Sequence, residues 1–161
     1  MKKLFAIMVL AVLSVAALAQ SGRDIYNKYS DEAGVSSVYV SPAMFRLIGK
    51  IPDIKMEDSK VNFSSIIKSM SGFYIISTEN TAVADDLYSD VKKYIQKGDF
   101  ELLMEAKDDG EVMRMYTAGD DTTVSSFVML AKDAEEVSFI AFDGKMNREE
   151  LEFLIAEAAA D

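Results

Sequence analysis

Phe100-Glu101-Leu102-Leu103-Met104-Glu105-Ala106-Lys107-Asp108-Asp109-Gly110-Glu111-Val112-Met113-Arg114-Met115-Tyr116 is the stretch on which the fold turns. Phe100, Leu102, Met104 and Ala106 alternate with Glu101, Leu103, Glu105 and Lys107. A period of two is the mark of a strand with one buried face. Leu, Met and Glu also favour helix, so the first half has a helical reading. The alternation and the Asp108-Asp109-Gly110 turn decide for a strand that folds back. The return strand runs from Val112 to Ala118, with Met113 and Met115 on one face and Arg114 on the other.

The pattern continues downstream. Gly119-Asp120-Asp121 is a second turn, and Val124–Ala131 and Val137–Phe142 are two further strands around Lys132-Asp133-Ala134-Glu135. Three short connections imply a four-stranded antiparallel meander. Asp143-Gly144 is expected to end it. Asn147 and Glu150 then form a capping-box-like pair for a last helix, with Leu151, Leu154, Ile155 and Ala158 as its inward stripe.

Upstream the period changes to 3.6. Asn80–Lys97 is the longest helix, with Ala84, Leu87, Tyr88, Val91, Tyr94 and Ile95 on one face, Asn80 or Thr81 as cap and Gly98 as stop. Before it, Phe73–Thr78 is apolar on both faces, as in a covered central strand. Phe63, Ile66, Ile67 and Met70 predict a helix over Asn62–Met70, with Gly72 as its C-terminal stop. Ser41-Pro42 opens a short helix with Phe45 and Ile48 inward and Gly49 at its end, and residues 51–59 read as a polar loop. Val35–Val40 is β-branched and aromatic, hence a strand. Ser21–Glu32 reads as a helix on Ile25, Tyr26 and Tyr29, closed by Gly34. The sum is an α+β, two-layer domain: a mixed sheet with a C-terminal four-stranded antiparallel meander packed against helices.

The N-terminus carries a different signal. Met1-Lys2-Lys3 is basic, Leu4–Leu13 is almost unbroken apolar, and Ala17-Leu18-Ala19 fits signal-peptidase cleavage before Gln20. The apolar run is short of the about 20 residues that span a bilayer. Residues 1–19 are therefore read as a signal peptide, and residues 20–161 as one globular domain that is exported, periplasmic or secreted. No Cys follows the cleavage region, so no lipid anchor and no membrane span are expected.

Composition closes many routes. The leader takes Lys2 and Lys3 with it, leaving 142 residues with 15 basic and 27 acidic side chains. That surface repels phosphate, so no nucleic-acid partner is expected. With neither Cys nor His, an ordinary zinc, copper or iron–sulfur site and Ser-His-Asp or Cys-His catalysis are all closed. With no disulfide either, a core of this size must hold by packing alone.

Few residues are left to carry chemistry. Asp108-Asp109-Gly110-Glu111 and Asp120-Asp121 are acidic turns without EF-hand spacing, and Asp and Gly are simply good turn formers. Ser65-Ile66-Ile67-Lys68 matches Ser-x-x-Lys by letter without its companion motifs; its cheaper reading is a polar helix face. Ser64, Ser69, Ser71, Ser125 and Ser126 sit in no nucleophile elbow, and Asn62-Phe63-Ser64 is a sequon by letter that reads as helix capping. No phosphate loop or dinucleotide pattern is present. No catalytic, cofactor-binding or metal-binding residue is therefore assigned, and no cofactor. Met113 and Met115, with Val112 and Tyr116, give the hairpin apolar atoms on both faces. Either a layer covers each face, which is the expectation, or one face is an adaptable binding surface.

A family pattern runs through these segments: Lys28-Tyr29, Val38-Tyr39-Val40-Ser41-Pro42-Ala43-Met44, Ile75-Ile76-Ser77-Thr78-Glu79, Phe100-Glu101-Leu102-Leu103-Met104 and Phe142-Asp143-Gly144-Lys145-Met146. The chain resembles the exported bacterial family catalogued as domain of unknown function 4252, found mainly in Bacteroidetes. The resemblance implies a double-membraned bacterium and a periplasmic or secreted location. It implies no reaction and no site residues. Many members resemble lipoproteins, and this chain departs from them in lacking the Cys. The expected function is a non-catalytic binding or accessory domain of the cell envelope, with an envelope protein as partner. A small carboxylate-dependent hydrolase acting on envelope glycans and an acidic cation-binding protein are the alternatives.

Overall fold

A computed structural model describes residues 21–48 and 63–158. Residues 1–20, Gly49, the 51–59 stretch and Asn62 lie outside these residues. The elements are α1 (Gly22–Tyr29), β1 (Val35–Val40), α2 (Pro42–Ile48), α3 (Phe63–Ser69), β2 (Met70–Thr78), α4 (Thr81–Lys97), β3 (Glu101–Asp108), β4 (Glu111–Gly119), β5 (Thr123–Lys132), β6 (Val137–Asn147) and α5 (Arg148–Ala158).

Local chemistry sets most boundaries. Ser21 caps α1 by accepting the Asp24 amide at 3.3 Å, and Ser41 caps α2 through the Met44 amide at 3.4 Å. Asn147 Oδ1 accepts the Glu150 amide at 3.0 Å and so opens α5. Asn80 precedes α4 but does not cap it; its side chain donates to the Ala33 carbonyl at 3.2 Å instead. The β3–β4 turn has positive φ at both Asp109 (41°) and Gly110 (92°), the mirror-type hairpin turn that Asp-Gly favours.

The six strands form one sheet in the order β1-β2-β6-β5-β4-β3, antiparallel at every ladder. The α+β architecture and the β3–β6 meander stand, but the sheet is not mixed. A parallel pair needs β3 beside β2 after the α4 crossover. Instead α4 carries the chain past three strands to the far edge, and β6 returns to pair with β2.

Three other boundaries differ from expectation. Strand β2 begins at Met70, so Gly72 lies inside it, at a bulge opposite Asp143, and does not cap α3. Strand β6 runs through Asp143-Gly144 to Asn147; a Cβ on Gly144 would sit 2.4 Å from the Ser69 carbonyl, so only glycine admits the end of α3 there. A bulge at Leu103 puts Leu102 opposite Tyr116 but Met104 opposite Met115. Leu102 and Met104 therefore face opposite sides despite their even spacing.

The main core lies between one sheet face and the pair α1/α4. Ile25, Tyr29, Ala84, Leu87, Val91, Tyr94 and Ile95 pack onto Tyr74, Ile76, Phe139, Ala141, Val128 and Leu130. Polar ties fix α4 over the sheet: Lys132 to Asp85 at 3.2 Å and Arg114 to the Tyr88 hydroxyl at 3.1 Å. A smaller cluster of Ile66, Leu151, Val124 and Met146, with Phe142 against it, covers one end of the other face under α3 and α5.

Asp90 joins α1 to α4. It pairs with Lys28 and accepts the Tyr29 hydroxyl at 2.7 Å. Burial pushes the Asp90 carboxyl up, but the bonds from Lys28 and Tyr29 outweigh it and hold it below the usual carboxylate range. Its stabilisation is therefore present above the ordinary Asp pKa and is lost as pH falls through the depressed folded value. In Asp90→Asn, acid titration of stability should show a shallower loss below about pH 4 than in the wild type. Leu87→Ala, in the main core, should cost about 2–5 kcal/mol in denaturant unfolding. Val38→Ala, on the open face, should cost less than about 1 kcal/mol.

Candidate functional site

Register across the sheet resolves its second face into three rows. Ala141 belongs to the α1/α4 core, so its neighbours Ile140 and Phe142 point the other way. One row runs Val40–Phe73–Phe142–Phe127–Thr117–Glu101. The next runs Val38–Ile75–Ile140–Met129–Met115–Met104 through all six strands. The third runs Ser36–Ser77–Ser138–Ala131–Met113–Ala106.

The rows differ in cover. The first lies at the α3/α5 end: Phe142 touches that cluster, and Phe127 stacks on Phe142 at 4.6 Å and is buried. The middle row is wholly apolar, yet none of its side chains is buried; five are partly exposed and Val38 is 45% exposed. Among the described residues no helix packs on it. The third row floors a cleft of about 350 Å³, where Ala106, Met113, Ala131 and Ser138 meet. The row of half-open Met and Ile side chains is roughly 24 Å wide at the usual strand spacing.

The cleft has an acidic rim of Asp108, Glu111, Asp133 and Glu136. Its two lysines are drawn elsewhere: Lys107 pairs with Glu105 at 2.7 Å, and Lys132 reaches Asp85 and lies over the Tyr88 ring on the α4 side. Asp133 accepts the Glu135 and Glu136 amides at 2.7 Å, which holds its carboxylate low and fixes the loop. Glu136 accepts hydrogen bonds from the Ser77 and Ser138 hydroxyls. The mouth is thus anionic and its floor apolar.

The groups considered as chemistry-bearing separate in space. Ser126 donates to Asp143 at 2.8 Å, and Tyr94 reaches Ser126 at 3.3 Å. Burial pushes the Asp143 carboxyl above its ordinary value, the Asp24 charge adds to that, and the Ser126 bond opposes it. Burial also pushes Tyr94 up to about 12. Neither of the two clefts includes this chain of groups, whose hydrogen bonds satisfy one another's polar atoms beneath the surface. Ser125 donates to the Ala118 carbonyl and Ser69 to the Ile66 carbonyl, Lys68 is exposed, and the side chains of Ser64 and Ser65 lie outside the described set. The acidic turns are turns: Asp120 accepts the Thr122 and Thr123 amides at 2.8 Å. A polar hollow beside it holds Asp99, Glu101 and Arg148, with the buried Thr117 hydroxyl left without a partner. Among the described residues no three acidic side chains converge as a metal site would require.

For Met113 and Met115 the pattern predicts a covering layer on each face; both are only partly buried, so the second face departs from that expectation. The structure places both on the side away from α1 and α4, joined to Met104 and Met129. The signal for those partners was present in the alternation, but the order of the strands was not.

No curated protein and no solved structure matches the chain. One family model matches residues 29–154, described as a domain of unknown function (DUF4252). That span runs from the end of α1 into α5 and takes in the whole sheet, and on it the chain belongs to the DUF4252 family.

Proposed function

We propose that this protein is an exported, non-catalytic binding or accessory domain of the cell envelope, and that it docks an apolar segment of another envelope protein on the open face of its sheet. The observation that carries the reading is the row from Ile75 to Met104, whose apolar side chains are only partly buried and on which no helix among the described residues packs. A continuous apolar strip of this kind marks an interaction surface in proteins that work in water. Its three methionines, with Met113 in the adjoining row, add polarisable, unbranched side chains that adapt to a partner's shape. The leader pattern of residues 1–19 supports export.

Charge selects the partner. The rim of Asp108, Glu111, Asp133 and Glu136 favours a segment that carries Lys or Arg beside its apolar side chains. An anionic lipid surface or an acidic protein would be repelled. The hydrolase and cation-binding readings have less behind them: Asp143 with its Ser126 partner lies away from the clefts, Glu136 in the cleft is occupied by the Ser77 and Ser138 hydroxyls, and the acidic turns spend Asp120 on their own backbone.

A photocrosslinking residue placed at Met115 or Met129 in cells tests this. The expected result is one discrete adduct, lost in Met113→Glu, whose crosslinked segment is apolar and flanked by Lys or Arg. A probe at Lys92, on the outer side of α4, should give no such adduct. Equal adducts from both faces, or a crosslinked segment that is acidic, would contradict the reading.

A further inference from the structure

The two edges of the sheet are built differently. Strand β3, at one edge, carries Glu101, Glu105, Lys107 and Asp108 and the bulge at Leu103. Charges and bulges are how edge strands avoid pairing with other chains. Strand β1, at the other, is Val-Ser-Ser-Val-Tyr-Val, with no charge, no proline and an unbroken register on β2. Among the described residues, no backbone hydrogen bond outside that ladder reaches Ser36–Val40. Three exposed large apolar side chains gather here: Val38 (45% exposed), and Met44 (47%) and Leu47 (63%) on α2, which follows directly.

Charges flank this bare edge with opposite signs. At the Val40 end, the Arg23 guanidinium lies over the Tyr39 ring and donates to its hydroxyl at 3.2 Å, and Arg46 follows on α2. At the Val35 end stand Asp31 and Glu32, whose carbonyl accepts the Val35 amide. A strand that is basic at one end and acidic at the other complements itself when turned through 180°.

We propose that β1 pairs antiparallel with β1 of a second copy of this chain, about a two-fold axis at Val38. In an antiparallel ladder, residues directly opposite share a face, so Val38 meets the partner's Val38, Ser36 meets the partner's Val40, and Ser37 meets the partner's Tyr39. The basic end of each copy then lies on the acidic end of the other. The row that starts at Val38 and crosses six strands runs on into the second copy, giving one apolar strip across twelve strands. Free backbone groups of the edge become paired, as in other strand additions. The inference does not rest on the proposed function: it concerns the edge, and a monomer could still dock a partner between Ile75 and Met104.

Sedimentation equilibrium of the purified protein across micromolar to millimolar concentration tests it. The expected result is a reversible dimer. Val38→Lys should abolish association while leaving the circular dichroism and unfolding midpoint near those of the wild type. Arg23→Glu alone should weaken the dimer severalfold by setting like charges together, and Glu32→Arg added to it should restore association. A wild type that stays monomeric throughout would overturn the proposal. A dimer unmoved by Val38→Lys, or not rescued by the charge exchange, would overturn it too.

Discussion

The seating of α1 and α4 on one face of the sheet is the constraint on which everything else rests. Ile25 and Tyr29 from α1, and Leu87, Val91 and Tyr94 from α4, bury Tyr74, Ile76, Phe139 and Leu130 with no disulfide to help. Because α1 and α4 sit on one side, the sheet has a dry face and a second face that, among the described residues, α3 and α5 cover at one end, while α2 packs beside β2 and α3. The lysines follow the same division. Lys132 turns toward α4 to meet Asp85 and Lys107 pairs with Glu105, and in doing so they leave the cleft mouth to acids.

Element type was legible wherever period and turn chemistry agreed. The Leu102–Ala106 alternation and the Asp109-Gly110 turn specify a hairpin, and the stripe from Ala84 to Ile95 specifies α4. What the sequence hid was set over long range or by single extra residues. Nothing local in Phe73–Thr78 says whether its neighbour will be β3 or β6, since both choices bury its two apolar faces. Bulges at Leu103 and Gly72 shift the register by one residue and leave no trace in residue type, so Leu102 and Met104 look alike and point apart. Glycine commonly ends elements, which predicts stops at Gly72 and Gly144, whereas here both admit close neighbours within strands.

The site was half legible for the same reason. Met113 and Met115 stood out because the hairpin is apolar on both sides, but burial on one side and openness on the other depend on where α4 comes to rest. The row from Val38 to Met104 needs every ladder of the sheet in register before it exists. The acidic residues that crowd the sequence turned out to do three different things: Asp120 and Asp133 fix turns, Asp90 ties two helices together, and Asp108 and Glu111 border the cleft. No pattern of acids in the sequence separates these roles.

The central claim is that this second face stands open to water in the isolated protein. Methionine oxidation reads that directly, because peroxide reaches thioether sulfur in proportion to its access. Brief peroxide exposure followed by peptide mass spectrometry compares the partly exposed Met104, Met113, Met115 and Met129 with the fully buried Met146 of the α3/α5 cluster. The account predicts that the four convert to sulfoxide well before Met146. Equal and slow oxidation of all five would show that the face is covered, and would contradict it.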